Sequence, residues 1–210
     1  MNLPTNDPAR RTAGPARKRA DSTRTALSPD DWIAAATAVL IDQGIDNVRV
    51  DVLAGQLGVT RGSFYHHFRD REDLLRRLLQ AWREGTTEQL TVRLEHASDD
   101  PDEQLTDVLS LPFRGRAAER AARSELALRA WARSDAMARE FVDEADASRI
   151  AHIERVLRGF GFSAAESRHR GFLLYSYLIA ESLINTARTP AQRRDRSAFV
   201  KQLICRPLES

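Results

Sequence analysis

The sequence predicts an all-α protein, a small helix-turn-helix domain at the N-terminal side followed by a larger helical domain. Three observations lead there. Apolar residues recur at helical spacing along most of the chain, and the period-two alternation of a strand is almost absent. Helix starts are marked by Ser, Thr or Asp ahead of acids or proline, and stops by glycine. Within residues 50–68, two short apolar stripes meet at a Gly-Val step, the layout of two helices joined by a tight turn.

Taken in order, residues 1–27 carry Arg10, Arg11, Arg17, Lys18, Arg19 and Arg24 against only Asp7 and Asp21, among many Pro, Thr, Ala and Gly. This reads as a disordered basic arm that either lies along DNA or stays a solvated tail. Ser28, Pro29, Asp30 and Asp31 then supply an N-cap, a first-turn proline and first-turn acids. Trp32, Ala35, Ala36, Val39 and Leu40 form the inner face of the helix they open, and Gly44 closes it.

Val50, Leu53, Ala54 and Leu57 fall at i, i+3, i+4 and i+7, one stripe of a second helix. Gly58 stands where the chain must turn through positive φ. Val59 returns to the core and Thr60 is placed to cap a third helix over residues 61–67. Phe64 and Phe68 face inward on that helix, which leaves Arg61, Ser63, Tyr65 and His66 outward. Guanidinium, hydroxyl, phenol and imidazole together suit base edges and phosphates in a major groove. The competing reading is a plain αα-hairpin with a solvated outer face. The neighbours His66 and His67 diverge by about 100° on a helix and have no third ligand nearby, so no metal site is expected.

Asp70 caps a long helix carrying Leu74, Leu75, Leu78, Leu79 and Trp82 and running to about residue 96, its first amides suited to a phosphate. After Asp100-Pro101 come a short helix with Leu105, Val108 and Leu109, an alanine-rich helix over 117–133, and a helix from about Asp135 to Gly159. Ser163 to Glu166 has the form of a capping box for the next helix, over 163–187, whose second half is apolar nearly all round. Such a helix needs cover on every side and is too short for a bilayer, so it packs on its own domain and on a partner subunit. Pro190 precedes a last helix, about 191–205, with Phe199, Val200, Leu203 and Ile204.

Composition bounds the function. The 210 residues are 42% hydrophobic and 30% charged, the balance of a globular protein, with a formal net charge of only +2. Any field that draws in DNA is therefore local. The single cysteine, Cys205, the lack of a signal-peptide core and the lack of a span of about 18–20 apolar residues lead us to expect a cytoplasmic protein without membrane contact. There is no Gly-rich phosphate loop, metal-spaced cluster or partnered nucleophile, so neither catalysis nor a cofactor is expected.

The run from Gly44 to Leu75 resembles the DNA-binding region of tetracycline-repressor (TetR) family regulators. The likeness rests on Gly44 bounding the first helix, Leu53-Ala54 in the second, Gly58-Val59 at the turn, Tyr65-His66-His67-Phe68 in the recognition helix, and Arg71-Glu72-Asp73-Leu74 opening the fourth. It extends over residues 28–80. Two positions depart from it: Arg49 stands where threonine is frequent, and Arg71 where lysine is usual, a fork in place of a point charge.

The resemblance implies a DNA-binding domain at 28–75 and an effector-binding and dimerisation domain at 76–210. It implies that Arg61 and Gly62 lie nearest base edges, that Ser63 and His66 touch bases or backbone, and that Arg49, Thr60, Tyr65 and Arg71 hold phosphates. It further implies a homodimer on a pseudo-palindromic operator in double-stranded DNA, repressing until a small-molecule effector enters. Candidate effector contacts are Trp82, Phe113, Trp131, Phe141, His152, Tyr175 and Tyr177; candidate dimer contacts are Phe172, Tyr175, Leu178, Ile179, Leu183, Phe199 and Leu203. The alternative is a regulator without an effector, constitutive or governed by a protein partner.

Overall fold

The computed structural model describes residues 27–113, 115–184 and 189–207; most of the basic arm lies outside them. The described residues are helical, without strands. Helix α1 (Pro29–Gln43) begins as its sequence dictates: the Ser28 hydroxyl accepts from the Asp31 amide while the Asp31 carboxylate accepts from the Ser28 amide, a closed capping box. A 3-10 turn (Ile45–Asn47) leads to α2 (Val50–Leu57), then α3 (Arg61–Phe64) and α4 (Arg71–Arg83). Gly58 ends α2 at φ 65°, ψ 33°, the left-handed conformation that a Cβ makes costly.

Helix α3 is shorter than the sequence suggests. Its regular part stops at Phe64, and residues 65–67 wind on as a tighter turn, with the His67 amide donating to the Phe64 carbonyl at 2.9 Å. Packing explains the change. The Phe64 ring meets Trp32 edge-on at 5.3 Å and stacks on Phe68 at 5.2 Å, and bringing Phe68 inward tightens the turn between them.

The long helix expected over residues 70–96 is three pieces: α4, a π-helical turn over Glu84–Glu88, and α5 (Gln89–Ala97). Its side chains carry the cause. Leu75, Leu78, Leu79 and Trp82 make one buried stripe, and a regular α-helix would continue it through Gln89 and Arg93. The next inward residues are instead Thr87, Leu90 and Leu94. The five-residue step from Trp82 to Thr87 is a π turn, which re-aims the apolar stripe.

Helices α6 (Pro101–Ser110), α7 (Gly115–Trp131), α8 (Ala136–Gly159), α9 (Ala164–Leu183) and α10 (Pro190–Cys205) complete the fold. Asp135 and Ser163 cap α8 and α9 through the amides of Ala138 and Glu166. Helices α8 and α9 lie close together because Gly171 has no side chain: a Cβ there would stand 3.1 Å from Glu154 Cγ.

Two apolar cores result. The first joins α1 to α4 with Leu128, Trp131, Ala138, Val142 and Ala145, so apolar packing runs across residue 75. The second gathers Leu94, Leu105, Val108, Ile153, Leu157, Leu174 and Ile204. No helix among the described residues is long and apolar enough to cross a membrane.

Candidate nucleic-acid interface and effector cavity

Helices α2 and α3 hold one another through buried Leu53, Ala54 and Phe64, and this fixes what α3 presents outward. Arg61, Gly62, Tyr65 and His66 are exposed, and Ser63 is half-buried. Among the described residues, no hydrogen bond or ion pair engages the side chains of Thr60, Arg61, Ser63 or His66. Thr60 occupies the N-cap position of α3 but its hydroxyl makes no cap bond. His67 is half-buried, its ring 6.4 Å from that of Phe68.

The two arginines that depart from the family pattern are engaged differently. Arg49 is exposed and paired with Asp51 at 2.8 Å. Arg71 turns inward: Nε donates to the Val48 carbonyl at 2.6 Å and Nη2 to that of Ile45 at 2.8 Å. The expectation of a phosphate at Arg71 and the start of α4 is corrected accordingly. There the Asp73 amide donates to Asp70 at 2.8 Å and the Arg69 amide to Asp73 at 3.1 Å. Asp73 stays well below the usual carboxylate range, mainly through that Arg69 amide, with Arg77 adding to it. The first turn of α4 is occupied by its own acids and would repel a phosphate. Arg71 is a tie between α4 and the segment that leads into α2.

A cavity of about 500 Å³ lies between the π turn, α5, α6, α7, α8 and α9. Leu90, Leu94, Val108, Ile153, Leu178 and Ile179 give it apolar walls, and Ala118, Ala121 and Ala122 on α7 leave it room. Its polar end is a network centred on Arg149. Nε donates to the Thr87 hydroxyl at 3.0 Å, Nη2 to that of Thr86 at 3.2 Å, and Nη1 to Glu125 and Tyr175, each at 3.2 Å. Behind it Arg129 clamps Asp146 at 2.9 and 2.5 Å and reaches Glu125 at 2.6 Å, while the Tyr175 hydroxyl donates to Asp146 at 2.6 Å. Burial pushes the Tyr175 phenol up to about 12; the Arg149 cation opposes that shift and the Asp146 bond assists it.

This network is built from side chains that carry no signal in the order of the chain, since Glu125 lies on α7 and Asp146 and Arg149 on α8. Of the candidate effector contacts, only His152 and Tyr175 line the cavity. Trp82 lies under the Arg149 guanidinium at 5.3 Å, Phe141 under Arg83 at 5.2 Å, and Phe113 under Arg193 at 5.8 Å. Trp131 belongs to the first core and Tyr177 turns to Ser197 at 3.3 Å. Trp82, Phe113, Phe141 and Tyr177 are corrected from ligand contacts to packing residues; Trp131 faces a separate pocket beside α1.

Residues 33–78 match the family model described as bacterial regulatory proteins, tetR family. The chain carries the DNA-binding domain of a TetR-family transcriptional regulator. The rest is similar in fold to solved regulators. A transcriptional regulator from Rhodococcus sp. Rha1 is 20% identical, covering 85% of this chain and 94% of its own, with a TM-score of 0.64. A regulator from Saccharomonospora viridis in complex with choline is 17% identical over 84% and 94% of the two chains, TM-score 0.64. FadR from Bacillus subtilis in complex with stearoyl-CoA is 20% identical over 87% and 100%, TM-score 0.61. No curated protein sequence matches the chain.

Helices α9 and α10 leave an apolar outer surface. Phe172, Leu173, Phe199 and Leu203 are about 60% exposed. Tyr175 and Leu178, expected at a dimer contact, are buried against the cavity, and Ile179 also lines it. Tyr175 and Leu178 are corrected to cavity residues, while Ile179 is only partly buried. Leu183, at the end of α9, is partly buried.

Proposed function

We propose that this regulator is a homodimeric repressor that binds a pseudo-palindromic operator and releases it when a small molecule enters the cavity. The observation that supports an effector is the cavity: apolar walls, one polar end and a volume within the usual range for small ligands. It favours a sensor over a regulator without an effector. Neighbours of the same fold that hold choline and stearoyl-CoA agree with that use of the helical domain.

The link to DNA runs through α4. Thr86 and Thr87, which accept from Arg149, sit in the π turn that continues α4, and α4 is tied by Arg71 to the entry of α2. A ligand in the cavity packs against that turn, so its entry changes the support of the turn, and the two DNA-reading helices change spacing. The exposed apolar residues of α9 and α10 are covered by a second copy, which also supplies the second half-site reader. On DNA, Arg61 and Gly62 face base edges, Ser63 and His66 reach bases or backbone, and Arg49, Thr60 and Tyr65 hold phosphates.

The test is fluorescence anisotropy with DNA from upstream of the protein's own gene, at two salt concentrations, with unrelated DNA as competitor. Preference that persists at higher salt is expected, because phosphate contacts weaken with salt while base contacts discriminate. Arg61→Ala should cost about 1–3 kcal/mol and relax one base position per half-site. Unchanged affinity and preference in that variant would remove α3 from its assigned place in the groove.

A further inference from the structure

His152 lies on α8, lines the cavity and is 4% exposed. Its Nδ1 faces Glu95 Oε1 at 3.4 Å, and Glu95 also takes an ion pair from Arg155. The Arg155 bond holds the Glu95 carboxyl below its usual range, so Glu95 is an ionised carboxylate and can only accept. Nδ1 therefore carries the proton and Nε2 presents a bare lone pair, a tautomer assigned from this partner. Nε2 is buried and has no partner, and of the buried side-chain nitrogens and oxygens in that condition among the described residues, it alone belongs to a residue lining the cavity. Burial, the leading cause, also holds the ring below the usual histidine range and so neutral.

The charges at the polar end cancel. Arg149 and Glu125 face one another on the wall, and Arg129 and Asp146 close the circuit behind them. Both Glu125 oxygens are engaged, and Arg149 has a bond from each of its three nitrogens. Arg93, which is exposed, and Asp107 also line the cavity, but a charged head at this polar end would have to pull one of these pairs apart or stay unpaired there, and either is unfavourable.

We propose that the effector is an uncharged, largely apolar molecule whose polar head is a hydrogen-bond donor, a hydroxyl or an N–H, delivered to His152 Nε2. The apolar body lies against Leu94, Ile153 and Leu178, and the head bonds the buried, unpartnered Nε2 in the cavity wall. This inference rests on the effector cavity proposed above.

Calorimetric titration of the full chain at pH 7.5 with four probes of equal tail length tests it: 1-octanol, methyl octyl ether, octanoate and octylammonium. Octanol is expected to bind at least tenfold more tightly than each of the others, since the ether lacks the donor and the two ions find no free counter-charge at the polar end. His152→Leu should bring octanol and ether to equal affinity. Ala122→Trp, which fills the cavity from α7, should abolish binding of all probes. Tightest binding by octanoate or octylammonium, or equal binding of octanol and ether by the unaltered chain, overturns the proposed head group and leaves the cavity standing. Binding of octanol that survives Ala122→Trp, or no binding by any probe, overturns the cavity as well.

Discussion

At the scale of single residues, the helical domain turns on Tyr175, whose hydroxyl joins an acid to two arginines. Its raised pKa has a consequence with a definite sign. The folded chain holds the phenolic proton to about pH 12, whereas the unfolded chain gives it up around 10, so the contribution is whole below pH 10 and falls away between 10 and 12. Two units correspond to roughly 2–3 kcal/mol. Tyr175→Phe should therefore be less stable at neutral pH yet show a shallower alkaline loss in denaturant titrations, and the highest tyrosinate step at 295 nm should vanish. An unchanged highest step would show that the phenol is not shielded. Sequence alone ranked this residue both as a ligand contact and as a dimer contact. Helical spacing reports that a residue is on a face but not which of two neighbours covers it, and α9 is covered differently on each side. Arg61 and His66 were easier to read because their side chains have only solvent to point into. Arg71 was not, since its inward bonds go to carbonyls 23 and 26 residues away.

At the scale of elements, caps and stops were legible and lengths were less so. Ser28, Asp70 and Ser163 cap where their chemistry places them, because a cap bonds only within its own first turn, but Thr60, read as the cap of α3, makes no cap bond. The shortened α3 was hidden because it depends on the stacking of Phe64 on Phe68. The π turn did leave a trace in the sequence, the five-residue gap between Trp82 and Thr87, which a search for one continuous stripe passes over. The turn between α2 and α3 gives the element-scale prediction. Gly58 sits at positive φ with nothing within 4 Å of a notional Cβ, so replacement meets a conformational cost and no clash. Gly58→Ala should lower stability by about 1–2 kcal/mol, and Gly58→Asn by less, in chemical denaturation. Equal losses for both would mean that the turn is held by something other than its backbone conformation.

At the scale of the whole molecule, the fold class and the order of helices could be read from the chain, because a stripe at helical spacing must be buried whatever its neighbours are. The cavity could not: it exists where α7 offers alanines opposite larger residues from four other helices, a match that no single stretch contains. The outer surface of α9 and α10 makes the prediction at this scale. Replacing Phe199 and Leu203 with glutamate should give a monomer by light scattering at micromolar concentration, with half-site DNA bound as before and the full operator bound far more weakly. A dimer that persists would place the partner contact on another face.

The wide turn at Glu84–Glu88 has one more consequence. A helix is a screw, and here its thread slips by one residue between the part that meets the DNA-reading helices and the part that meets the cavity. The slip can pass along the rod by trading one backbone bond for a like one, so its position costs little to change and the number of bonds stays the same. Each step would re-aim the residue it passes and leave the two ends of the rod as they were. Two adjacent threonines, Thr86 and Thr87, bond one guanidinium there, so Arg149 pins the place of the slip as well as lining the cavity.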